Sequence, residues 1–380
     1  MLRLLLLVIL PVAIYSTSMD FGRTPIDDPV EQQVWRGINA MYSYKHDLAN
    51  AIFDSVLVMD PENIPAPLLS AVNRWLQSIV EIGAGASHDT LYMVIDQVIP
   101  HYERLLTNSR EQEALTLLFL GTTYGLRARV AVGEKRWLSI IYSGFRGWQI
   151  IKRAYALNPD LKDAYLPIGI FEYYAGVSST PVQWMARMAG IKADRKAGLE
   201  KMDLAVREGQ YSWIESASTI AIIYLYLEND PQAAAPYTTL LMNAFPENYY
   251  FNILYGEQLV QLAPVNVAQA YLDSLEPFLA TAHENQQLEW ALKLATLRAR
   301  LYYRTGQYDQ ALLLSNWVIA NYAMEFDWHL GIALYIRGKI KARQGNRDVA
   351  RIDFLTAISL DNQTYIIREA KQALKELRGF

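Results

Sequence analysis

The side chains best suited to catalysis or metal binding are scattered along the chain. The five histidines, His46, His88, His101, His283 and His329, share no close spacing with one another. A zinc-binding helix needs two of them on one face, and "HENQQ" after His283 supplies no second one. Glu325-x-Asp327-x-His329 offers three ligand types, but it reads as an inter-helix loop and lacks a metal-site spacing. There is no cysteine, which excludes disulfides, thiolate metal sites and thiol catalysis. No G-x-S-x-G stretch is present. The pair Asp27-Asp28 lies in a Pro-flanked leader, a poor setting for general acid–base work. The sequence therefore predicts no catalytic residue, no metal and no cofactor. Asn362-Gln363-Thr364 is a glycosylation sequon that matters only where exported proteins are glycosylated.

The elements that would carry any function are helical. The stretch "LTLLFLGTTYGLRAR", residues 115–129, sets Leu117, Leu120, Gly121 and Tyr124 on one stripe. It is not a phosphate loop, because its glycines sit inside an apolar helical pattern rather than between a strand and a helix. Nor is it a membrane span, since charged residues interrupt every later apolar run. Hydrophobic residues make up 52% of the 380 and charged ones 19%, enough for a core and contrary to disorder. Net charge is −4 with Lys and Arg dispersed, so no nucleic-acid partner is expected.

Six further windows share a second pattern, a small residue, a bulky one about four on, another small or apolar residue three later, then a turn. They are Ala49, Phe53, Val56; Gly147, Ile151, Ala154; Ala234, Thr238, Leu241; Ala268, Leu272, Leu275; Ala311, Ser315, Val318; and Ala350, Phe354, Ala357. Ala234 to Ala268 is 34 residues, Ala268 to Ala311 is 43, and Ala311 to Ala350 is 39. The chain thus resembles the tetratricopeptide-repeat family over nearly its whole mature length, most closely from about residue 210 onward. The resemblance implies an all-α, right-handed solenoid of about eight helical hairpins. Gly306 and Gly345 fall where paired helices turn. The expected organisation is a signal over 1–18, an extended leader over 19–29, degenerate repeats over 30–209 and regular repeats over 210–380.

The middle departs from this pattern. After Tyr165 and Gly169 a short helix is inserted, with Thr180-Pro181 as its start and Gly190 as its stop, before a helix capped by Asp194 runs to Gly209. This segment is similar, over about residues 120–250, to tetratricopeptide proteins related to the mitochondrial inclusion-body-clearance family, which implies a repeat pair with an inserted elbow. The insert joins Trp184, Met185 and Met188 to Arg187, Lys192, Arg195 and Lys196. Such a mixture suits a membrane interface, but its shortness makes packing on neighbouring helices the expected use.

In the family, first helices line a concave groove that holds protein partners. Aligning Ala311 with Ala350 puts Lys293, Thr296, Arg300, Tyr303 and Arg304 on the groove side of one unit. Ile332, Tyr335, Lys339, Ala342 and Arg343 follow from the next. The resemblance implies a non-enzymatic scaffold, and this basic set suggests an acidic or extended peptide as its partner; the alternative is a solvated face. The first eighteen residues, "MLRLLLLVILPVAIYSTS", have the layout of a secretory signal, with Ser16 and Ser18 before Met19. The apolar run from Leu4 to Ile14 is eleven residues, short of the about 20 a span needs. Export, to a bacterial periplasm, is expected; the alternative is a membrane-anchored assembly factor of an envelope complex, with residues 4–14 uncleaved as its anchor.

Overall fold

The computed structural model describes residues 27–108, 112–133, 137–360 and 362–378, and the expected signal and most of the leader lie outside them. Helices follow one another with no strand among the described residues. They pair as α1 (Pro29–Tyr42) with α2 (His46–Met59), α3 (Pro65–Ile82) with α4 (Ser87–Asn108), and α5 (Glu113–Gly133) with α6 (Trp137–Leu157). α7 (Tyr165–Val177) is followed by the insert α8 (Thr180–Met188) before its partner α9 (Arg195–Glu208). α10 (Trp213–Ile222), prolonged by a π-helical stretch Ile223–Glu228, pairs with α11 (Pro231–Ala244). α12 (Tyr249–Leu262) pairs with α13 (Val265–Ser274), which α14 (Glu276–Thr281) extends. α15 (Glu284–Arg304) with α16 (Tyr308–Asn321) and α17 (Trp328–Arg343) with α18 (Arg347–Ser359) complete eight hairpins among the described residues, followed by α19 (Tyr365–Arg378). The all-α helical-repeat fold is the one expected.

Local chemistry starts and stops these helices. Asp28, Asp194, Asp230 and Asn248 each accept a backbone N–H of the first turn, at 2.9–3.1 Å. Gly306 and Gly345 end α15 and α17 with φ of 78° and 79°, a left-handed turn that side chains resist. The cap of α8 lies one residue earlier than expected, at Ser179, so Thr180 is already helical. The 43-residue unit is long because α14 and a 21-residue α15 follow α13. The 39-residue one carries the loop between Asn321 and Trp328.

Paired helices touch through small residues. All the second-helix positions that carried the repeat pattern are buried, and the first-helix stripe Leu117, Leu120, Gly121 and Tyr124 is buried too. A Cβ on Gly121 would lie 2.6 Å from Ile151, and one on Gly147 2.9 Å from the Gly121 carbonyl. Gly169 and Gly198 stand in the same relation between α7 and α9, each 2.6 Å from the other's carbonyl. At Gly37 and Gly338 the facing atom belongs instead to a phenylalanine, Phe53 or Phe354. The core runs unbroken past residue 209, with Met202 and Val206 joined to Trp213 and Ile214.

The array also closes on itself. The end of α1 reaches α10 and α12: Asn248 donates to the Tyr42 carbonyl at 2.8 Å, and the Tyr42 ring packs on Phe245 and Phe251. Lys45 pairs with Glu247 at 2.9 Å. Arg129 of α5 lies 5.2 Å from both Trp75 and Phe326 and pairs with Glu325, which His88 also approaches at 3.5 Å. Side chains of the first three hairpins therefore meet those of later ones far along the chain.

Ala311→Leu should lower unfolding free energy by about 1–3 kcal/mol, the usual effect of forcing volume into a packed contact. Leu313→Ser, at a position 69% exposed on the same helix, should stay within about 0.5 kcal/mol. Denaturant unfolding of the two variants checks the register.

Candidate functional site

The expected basic set divides into buried and accessible members. Lys293 is buried; its ammonium donates to Glu289 at 2.5 Å and lies 5.3 Å over the Tyr250 ring. Arg300 pairs with the fully buried Glu257 and donates to the Tyr365 hydroxyl at 2.6 Å. Both cations are committed to the interior. Thr296 and Ile332 are buried beside them.

The others form a strip along the end of α15 and the middle and end of α17. Arg343 stacks over Tyr303 and Tyr308, with ring centres 5.4 and 4.8 Å from its guanidinium, and donates to the Tyr308 hydroxyl. Arg304 donates to the Ala263 carbonyl at 2.8 Å. Among the described residues neither arginine has a carboxylate at ion-pair distance. Lys339 stands 3.7 Å from Glu376, and the Tyr335 hydroxyl 3.4 Å from Glu369, both on α19. Burial raises the Tyr303 and Tyr335 hydroxyls above the usual tyrosine range, so both remain neutral donors. The five cations thus do not make one free wall, because Glu257 of α12, Glu289 of α15 and Glu376 of α19 pair with three of them. Arg304 and Arg343 also sit in last helical turns, where a cation meets the carbonyl end of the helix favourably.

Sequence reasoning missed the acids, although for Glu257 the signal was present. Glu257 stands eleven residues before Ala268, as Arg300 does before Ala311 and Lys339 before Ala350. Equivalent positions of successive repeats are neighbours, so Glu257 had to meet Arg300. Tyr308 belongs to a second helix and had no such signal.

The three ligand types at 325–329 go three ways. Glu325 is held by Arg129, Asp327 accepts from the Asn362 amide at 2.7 Å, and His329 is buried against Tyr226. Among the described residues no three His, Asp or Glu converge as metal ligands. The sequon asparagine is itself engaged through that amide. Burial, with Lys293 and Arg300 nearby, pushes His329 down to about 3. Between α1 and α10 the Tyr42 hydroxyl donates to Glu215 at 2.5 Å, and burial raises the Glu215 carboxyl.

These hairpins, with small residues at several crossings, make the chain an all-α helical-repeat protein. No family model and no curated protein matches it. Among solved structures, NprR in complex with its cognate peptide NprX aligns over 92% of this chain and 83% of its own, at 12% identity and a TM-score of 0.44. The TPR domain of P58(IPK) aligns over 93% and 99%, at 12% identity and a TM-score of 0.26.

Two outcomes follow. Arg300→Leu should cost about 3–5 kcal/mol by leaving Glu257 buried and unpaired, and Glu257→Leu added to it should restore part of that loss. For pH, the folded state keeps His329 neutral while the unfolded chain takes up a proton below about 6.5. Its contribution is complete above that value and fades as pH falls toward 3. Denaturant midpoints should drop between pH 7 and pH 5, and less so in His329→Asn. That pairing holds constant His46 and His101, also lowered by burial, and Glu31 and Glu215, raised by burial and opposite in effect.

Proposed function

We propose that the chain is an exported, non-enzymatic scaffold that holds an acidic, extended segment of a partner protein along Tyr303, Arg304, Tyr335, Lys339 and Arg343. Lys293 and Arg300, from the same sequence set, serve the fold instead. The observation that carries the reading is Arg343 between two tyrosine rings. Its guanidinium is fixed in place yet unneutralised, the state in which a cation discriminates best for an incoming carboxylate. Flat tyrosine faces beside it suit an extended backbone. The looser Lys339–Glu376 pair is one an acidic ligand can replace.

The test is an array of acidic, neutral and basic extended peptides probed with wild type and with Lys339→Glu/Arg343→Glu. Acidic peptides should be retained by the first and lost by the second, with melting temperature nearly unchanged since exposed charges contribute about 0–1 kcal/mol each. Retention indifferent to peptide charge, or unaltered in the variant, rejects the strip. Export belongs to the same proposal: the mature chain should begin near Met19 by intact mass. Full-length protein resisting a carbonate wash of membranes would instead favour an anchor at residues 4–14.

A further inference from the structure

The inserted helix α8 gives none of its nine residues to the core, contrary to the packing its sequence suggested. Trp184, Met185 and Met188 are 62%, 61% and 73% exposed and project from one side, since Met188 lies four residues from Trp184 and three from Met185, the spacings that share a helical face. Val182, and Tyr174 and Val177 from the end of α7, extend the apolar surface. Polar tethers hold α8 out from the body. Gln183 donates to the carbonyls of Gly176 and Ser178 at 3.2 and 2.9 Å, and the Trp148 indole donates to Ala189 at 3.0 Å.

The charge around this ridge has one sign. No Asp or Glu occurs from residue 173 to 193, while Arg187 and Lys192 do. Lys152 of α6 lies against Gly190, where a Cβ would come within 2.6 Å of its ammonium. Asp194, the first acid beyond, is occupied as the cap of α9 and by Lys192 at 3.2 Å. That pair is exposed, and such pairs contribute little, so Lys192 stays available.

A protruding ridge buries its side chains only in something soft or hollow, unlike a groove, which takes a peptide. Tryptophan settles at the headgroup level of a bilayer, methionine and valine reach just below it, and cations above favour anionic lipid. We propose that α8 is a foot that rests, reversibly, in the headgroup region of an anionic phospholipid bilayer and turns the repeat array toward the membrane surface. This occupancy is independent of the peptide strip on α15 and α17.

The absence of cysteine makes the test site-specific. The full chain carrying Met188→Cys is labelled with an environment-sensitive fluorophore and mixed with vesicles of phosphatidylcholine, alone or with phosphatidylglycerol. A reference label is placed at Leu313→Cys on α16. Emission at 188 should rise and move to shorter wavelength with phosphatidylglycerol vesicles only, with no change at 313. Replacing Arg187 and Lys192 by Gln should weaken that response by about fivefold per charge, the worth of one cation at an anionic surface. No response at 188, an equal response on pure phosphatidylcholine, or an equal response at 313 overturns the proposal. So does efficient cross-linking of two unlabelled Met188→Cys copies through the introduced thiol without lipid, which would mark α8 as a protein interface.

Discussion

The distance between paired helices is the constraint on which this molecule depends. At Gly121–Gly147 and Gly169–Gly198 each backbone occupies the space a Cβ of the other would need. At Gly37 and Gly338 the vacated space admits Phe53 and Phe354, both nearly fully buried. Close crossing lets each hairpin bury its stripe against the next, which no single hairpin can do alone. Dense packing then makes every added methylene felt, so the small residues are fixed even where no turn requires them.

Stacking successive units also decides what the polar residues do. Equivalent positions of neighbouring repeats meet, so Glu257 finds Arg300, and Lys293 finds Tyr250. Charges that a single repeat would show to solvent are drawn inside and paired. Of the basic set, Arg304 and Arg343 remain accessible at the ends of α15 and α17, with no carboxylate at ion-pair distance among the described residues. Closure adds contacts between the first three hairpins and later ones, such as the exposed pair Lys45–Glu247 and the half-buried Arg129–Glu325.

Much of this was legible in the sequence. Alanine and glycine spacing located the second helices, and the glycines at 306 and 345 the turns between pairs, because these are local requirements of helix crossing and capping. The insert α8 was legible as a helix but not as an exposed one: its nine residues carry apolar side chains enough for a core, and only the surrounding hairpins decide whether any surface remains to receive them. Closure was equally invisible, since Tyr42 meeting Phe245 depends on a rotation accumulated over several units. The basic set was half legible. Register places its members side by side, but it shows Lys293 and Arg300 as surface unless the acids Glu257 and Glu289 are read in the same register.

The binding strip proposed on α15 and α17 makes a direct demand. Lys45→Cys and Glu247→Cys, joined within one chain by a short bismaleimide, lock the turn between α1 and α2 to the turn before α12. The decisive measurement is the affinity of an acidic extended peptide for this locked chain beside the unlocked one. The account predicts equal affinities, because the proposed strip on α15 and α17 shares no residue with the locked contact. Loss of binding on locking would contradict it, by showing that the partner enters an interior that must first open.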